Sequence, residues 1–144
     1  HSTGAMTAAI TAIAEALGTE ARAAQTLSAI EAFLGAWSDE VVGYGLDEEP
    51  VLVHFHQRAL AEELGMNVAG VFGPGPLEAR QIDELTKVSP VLIIDNGHNP
   101  IAQPIAETTG APVSVWYNFP GVEESRTLLD IFTLNRAALG ETLD

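Results

Sequence analysis

The sequence has no cysteine, which excludes disulfides, thiolate metal ligands and cysteine nucleophiles; any metal would have to be held by His, Asp, Glu, Asn or water. Only six residues are basic against twenty acidic ones, and Arg22, Arg58, Arg80, Lys87, Arg126 and Arg136 are scattered along the chain. A net charge of -14 without a cationic cluster repels phosphate backbones, so nucleic acid is excluded as a natural partner. The same charge serves solubility or attracts cations, and charge alone does not separate these uses. No apolar run nears the roughly 20 residues that span a bilayer. A nucleophile elbow, a His-Glu-x-x-His helix and a glycine-rich dinucleotide turn are all lacking, and Ser89, Ser114 and Ser125 have no evident base partner. The chain therefore reads as a non-enzyme.

What is present fits one compact unit, since 144 residues at 47% hydrophobic content bury one core. Residues 1–6 lack the apolar heart of a signal peptide and read as a tag remnant. Residues 7–48 read as two helices. Ile10, Ile13 and Leu17 space a short one from Thr7 to Leu17, with Gly18 ending it and Thr19 able to cap the next. Leu27, Ile30, Leu34, Trp37 and Val41 form one apolar stripe along a longer helix from Glu20 to Val42. Residues 49–144 read as an α/β lobe. Short apolar runs at Val51–Phe55, Val68–Phe72, Val91–Ile94 and Val113–Trp116 predict four strands alternating with helices. The helices are expected at about 57–64, at 76–87 with Pro76 first, at 100–109 and at 123–139. Strands joined through helices predict a mostly parallel four-stranded sheet covered by helices.

In such a sheet, ligands bind outside the carboxyl ends of the strands, so the residues after each run are the ones to inspect. They are polar: His54-Phe55-His56, Gly73-Pro74-Gly75, Asp95-Asn96-Gly97-His98 and Tyr117-Asn118. His54, Asp95, His98 and Asn118 are the candidate metal ligands, because imidazole with carboxylate suits a zinc-like ion. Each has a plainer reading. His54 is otherwise a hydrogen-bonded structural histidine, His98 a solvated loop residue, and Asp95 a cap on the following turn. His56 reads as structural. The proline-bounded glycines at 73–76 suit a rigid turn better than a phosphate loop.

The order of elements, with Val51-Leu52-Val53-His54, the helix from Gln57 to Leu64 and Gly65-Met66, resembles the metal-specific, TroA-like cluster of solute-binding proteins of ABC transporters. Further counterparts are the proline-started helix after the second strand, Ile93-Ile94-Asp95 before Asn99-Pro100, and a last helix reaching Leu134-Asn135. The resemblance covers nearly all of residues 7–140. It implies two lobes joined by a backbone helix, matched here by Glu20–Val42, with this chain supplying the C-terminal lobe. It makes His54 the third metal ligand. Asn118, in Asn118-Phe119-Pro120-Gly121, stands where the family has its fourth, usually Asp; an amide is a poorer zinc ligand.

Three readings follow. In the first, the chain is the lobe of a binding protein that captures a divalent metal, zinc or manganese, or a metal complex, and passes it to an ABC permease outside the cytoplasm. In the second, it is a degenerate interaction domain that kept the lobe and lost the site. The third is a small hydrolase using metal-bound water. A lobe without its partner lobe would also bare apolar surface, which predicts a homodimer.

Overall fold

A computed structural model describes residues 3–144. Its first helix, α1 (Thr3–Leu17), begins before the expected Thr7 because Ala5 and Met6 extend the helix and Met6 packs against the core. Gly18 ends α1 in the left-handed region (φ 65°), as its position predicts. Thr19 does not cap α2 (Glu20–Gly43) with its side chain; its carbonyl accepts the Ala23 amide at 3.0 Å instead. Along α2 the predicted stripe is the buried one: Ile30, Leu34, Trp37 and Val41 face the lobe. Trp37 lies against Trp116 with ring centroids 5.1 Å apart, so two large side chains join the helix to the sheet. Burying side chains of this kind contributes about 1.5–3 kcal/mol each.

The lobe alternates β1 (Val51–His54), α3 (Arg58–Glu63), β2 (Val68–Phe72), α4 (Ala79–Thr86), β3 (Leu92–Asn96), α5 (Gln103–Thr109), β4 (Val113–Trp116) and α6 (Leu128–Leu143). The sheet is parallel throughout, in the order β2-β1-β3-β4. α2, α3 and α6 cover one face over Val51, Val53, Leu92, Ile94 and Trp116. α4 and α5 cover the other over Leu52, Phe72 and Ile93. The fold class read from the sequence is the one observed. No helix among the described residues is long and apolar enough to cross a membrane.

The differences are at element ends. β1 stops at His54, and Phe55–Gln57 form a 3-10 turn. β3 runs on to Asn96, which places Asp95 inside a strand. α4 starts at Ala79 rather than at Pro76, with the Glu78 amide donating to Gln81 Oε1 at 3.0 Å. α5 starts at Gln103, with Pro104 in its first turn. α6 starts at Leu128, because Glu123 and Glu124 take positive φ (47° and 62°) and Thr127 caps it, its hydroxyl accepting the Asp130 amide.

Candidate functional site

The strand order defines where a ligand belongs. From β1 the chain crosses to β2 at one edge, whereas from β3 it crosses to β4 at the other, so the connections diverge between two adjacent strands. Such a switch point leaves a crevice at the carboxyl ends of β1 and β3. A cavity of about 500 Å³ lies there, lined by Phe55 and His56 after β1, Asn96 and His98 at the end of β3, and Asn118 and Phe119 after β4.

Strand alternation sorts the predicted ligands. In β1, Leu52 faces α4 and α5, and His54, two residues on, shares that side of the sheet. His54 is fully buried, edge-on to Phe72 at 5.6 Å between centroids. Its Nδ1 accepts the His56 amide at 3.2 Å, so the proton of the neutral ring sits on Nε2. That Nε2 has no hydrogen-bond partner among the described residues. It lies against Gly73, where an added Cβ would stand 2.8 Å away, and Gly73 also holds φ 80°. Burial pushes the imidazole below its ordinary range, partly opposed by the Asp95 carboxylate, while His56 adds to the lowering.

Asp95 is buried and its carboxylate is fully engaged. Oδ1 accepts the Asn96 amide at 2.8 Å, and Oδ2 accepts those of Ile101 and Ala102 at 2.9 and 2.8 Å. These bonds tie the end of β3 to the turn entering α5, the capping role that the sequence offered as its plainer reading.

His98 and Asn118 do reach the cavity. The Asn96 side-chain carbonyl takes the His98 amide at 2.9 Å. The exposed His98 ring stands edge-on to Tyr117 (5.4 Å) and tilted over Phe119 (6.0 Å). Gly97 makes this possible: a Cβ there would come within 2.6 Å of Tyr117 Cζ. The loop holding Asn118 is fixed from α6. Asn135, fully buried, accepts the Tyr117 amide at 2.8 Å and donates to the Tyr117 carbonyl at 3.0 Å.

The structure thus brings His98 and Asn118 together on the crevice with His56, and holds His54 and Asp95 behind it. His56 was read from sequence as structural, yet it is exposed and lines the cavity. The missed signal is the end of β1: once the strand stops at His54 and a 3-10 turn begins, the next histidine leaves the pleat. Among the described residues no group of three or more His, Cys, Asp or Glu could hold a metal ion. The lobe offers two imidazoles and an amide.

No protein-family model matches this sequence, and no curated protein matches it. Solved structures do. A mutant of the Mn-bound periplasmic metal binding protein of Candidatus Liberibacter asiaticus superposes with a TM-score of 0.70 at 17% identity, over 99% of this chain and 59% of that one. The laminin-binding protein Lbp of Streptococcus pyogenes gives 0.68 at 19%, over 93% and 59%. The laminin-binding adhesin of Streptococcus agalactiae gives 0.68 at 15%, over 94% and 56%. The chain shares their fold. It spans a little over half the length of each of these proteins.

Proposed function

We propose that this chain is the C-terminal lobe of a solute-binding protein that delivers a divalent cation, or a complex of one, to an ABC permease at the periplasmic or extracellular face of a membrane. The observation that carries the reading is the crevice at the sheet's switch point, lined by His56, His98 and Asn118. It occurs in a fold shared with proteins described as Mn- and Cd-bound periplasmic metal binding proteins. A net charge of -14 is compatible with a cationic cargo and does not by itself select one. On this reading the lobe binds and encloses and performs no chemistry.

Two imidazoles suit zinc, and the Asn118 oxygen is the kind of donor manganese takes, but it adds no charge compensation. A second lobe would complete the coordination, so the lobe alone binds weakly. His54 would join the set only if the Gly73 turn moved away and its proton transferred from Nε2. Asp95 would have to release three backbone amides.

The test is calorimetric titration with zinc and with manganese in a His1→Ser background, since His1 could itself bind metal. Heat that is lost in His98→Ala and His56→Ala, and an affinity raised about tenfold by Asn118→Asp, support the reading. Heat lost in His54→Ala but indifferent to His56 would move the ligand back to the strand end. No heat in any variant, Asn118→Asp included, favours the degenerate interaction domain, which the absence of a three-donor group also suits.

A further inference from the structure

Of the chain's five phenylalanines, Phe33, Phe72 and Phe132 are buried or half-buried. The other two, Phe55 and Phe119, are 52% and 57% exposed, and both line the crevice at the switch point. Each stands beside one of its imidazoles: Phe55 is edge-on to His56 with centroids 5.5 Å apart, and Phe119 is tilted against His98 at 6.0 Å. Exposed aromatic rings confined to one cleft mark a surface that something covers. The metal donors beside them are too few for a bare ion. Two imidazoles leave a four-coordinate zinc two positions short, and neither carries negative charge to offset the dication. Glu62, the one carboxylate among the described residues lining the crevice, accepts a hydrogen bond from Arg58 Nε at 2.7 Å and is already paired. A space of about 500 Å³ also exceeds what an ion needs and has the size of a pocket for a small organic molecule.

We propose that the cargo enters as a complex, a divalent cation already held by a flat, aromatic, bidentate and monoanionic chelator. This rests on the metal-delivering function proposed for the crevice and names the form in which the ion arrives. The chelator supplies the two missing donors and half of the missing charge, while His56 and His98 fill the remaining positions. It thereby takes the coordination positions that a second lobe would otherwise fill. With part of the charge carried by the ligand, a neutral Asn118 suffices on the crevice wall. The chelator's ring lies against Phe55 and Phe119, where offset or edge-on contact between aromatic rings adds to the effect of buried area. A bare ion has no use for either ring.

The probes are equimolar zinc picolinate and zinc pipecolinate. The two chelators place a nitrogen and a carboxylate identically on the same ring skeleton, and only picolinate is aromatic and flat. Each complex is titrated calorimetrically into the intact chain in the His1→Ser background. Its affinity is divided by that of the same complex for free imidazole, which removes differences in the zinc's own acidity. The expected result is a preference of about tenfold for zinc picolinate. The double variant Phe55→Leu/Phe119→Leu should remove that preference and leave zinc pipecolinate binding unchanged. Both rings are more than half exposed, so an unaltered urea midpoint is expected of it. Equal normalised affinities, or a preference that survives the double variant, overturn the proposal; if binding is still lost in His56→Ala and His98→Ala, the metal-binding function stands without it. Absence of histidine-dependent binding of either complex and of zinc alone overturns both.

Discussion

The tips of β1 and β3 lie side by side, and both bury polar residues, but they are finished differently. At β3, Asp95 accepts three backbone amides and Asn96 a fourth, from His98, so both buried side chains are engaged. At β1, His54 and Gln57 are as deeply buried, and each keeps a nitrogen without a partner among the described residues. A polar network that is complete rigidifies what it touches, whereas an incomplete one costs stability until something binds. The difference makes the β3 tip the more completely satisfied of the two.

The sharpest way to break this contrast is Asp95→Ala. It leaves three amides at the end of β3 and the start of α5 without their acceptor, and a loss of about 3 kcal/mol is expected in urea unfolding. A loss under about 0.5 kcal/mol would mean that the β3 tip is no more finished than the β1 tip. Asn135→Ala comes next. It removes both bonds to the Tyr117 backbone and should cost about 2 kcal/mol, and it should also displace the Asn118 loop. Broadened amide signals confined to residues 117–121 would register that second effect.

The apolar architecture was legible in the sequence because period-specific spacing survives without context. The α2 stripe and the four strand runs could be read directly. Ends set by a local glycine, such as Gly18 after α1 and Gly110 after α5, were legible, but several others were not, because they depend on acceptors distant in sequence. Asp95 holds the turn after β3, and Thr127 starts α6 only because Glu123 and Glu124 turn the chain the other way. The candidate site suffered most from this. Whether a histidine after an apolar run points into a crevice depends on the residue at which the strand stops, and one position decides between His54 and His56.

At the β1 tip itself the contrast is testable by acid. Burial holds the His54 imidazole below its ordinary value of 6.5. Above that pH both folded and unfolded chains carry it neutral. As pH falls below about 6.5, the unfolded chain takes up the proton first, so stability declines until the lower folded value is passed. His54→Gln should remove this slope, bounded by one proton, from unfolding midpoints measured as the pH falls below about 6.5. A slope unchanged in that variant would place the titrating group elsewhere.

The smallest effect belongs to a site away from both tips and serves as their control. Glu40 of α2 and Arg136 of α6 form a bidentate pair, Arg136 Nε donating at 2.9 Å, and the guanidinium lies 5.1 Å over Phe33. Both side chains are partly solvated, so the pair is worth about 0.5 kcal/mol rather than the several of a buried one. The Arg136 hydrogen bond holds the Glu40 carboxyl below its ordinary 4.5, and its charge acts in the same direction. A depressed acid stabilises above its unfolded pKa and loses that contribution as pH falls through the folded value. Glu40→Gln should therefore lower the urea midpoint slightly near neutrality, by less in 1 M salt, where the screening length is roughly 3 Å. The difference from the parent chain should vanish in acid. Because Arg136 keeps its stacking on Phe33, the variant isolates the charge. If its effect equalled that of Asp95→Ala, deletion of hydrogen bonds would not measure how completely a strand tip is satisfied, and the contrast between β1 and β3 would lose its energetic basis.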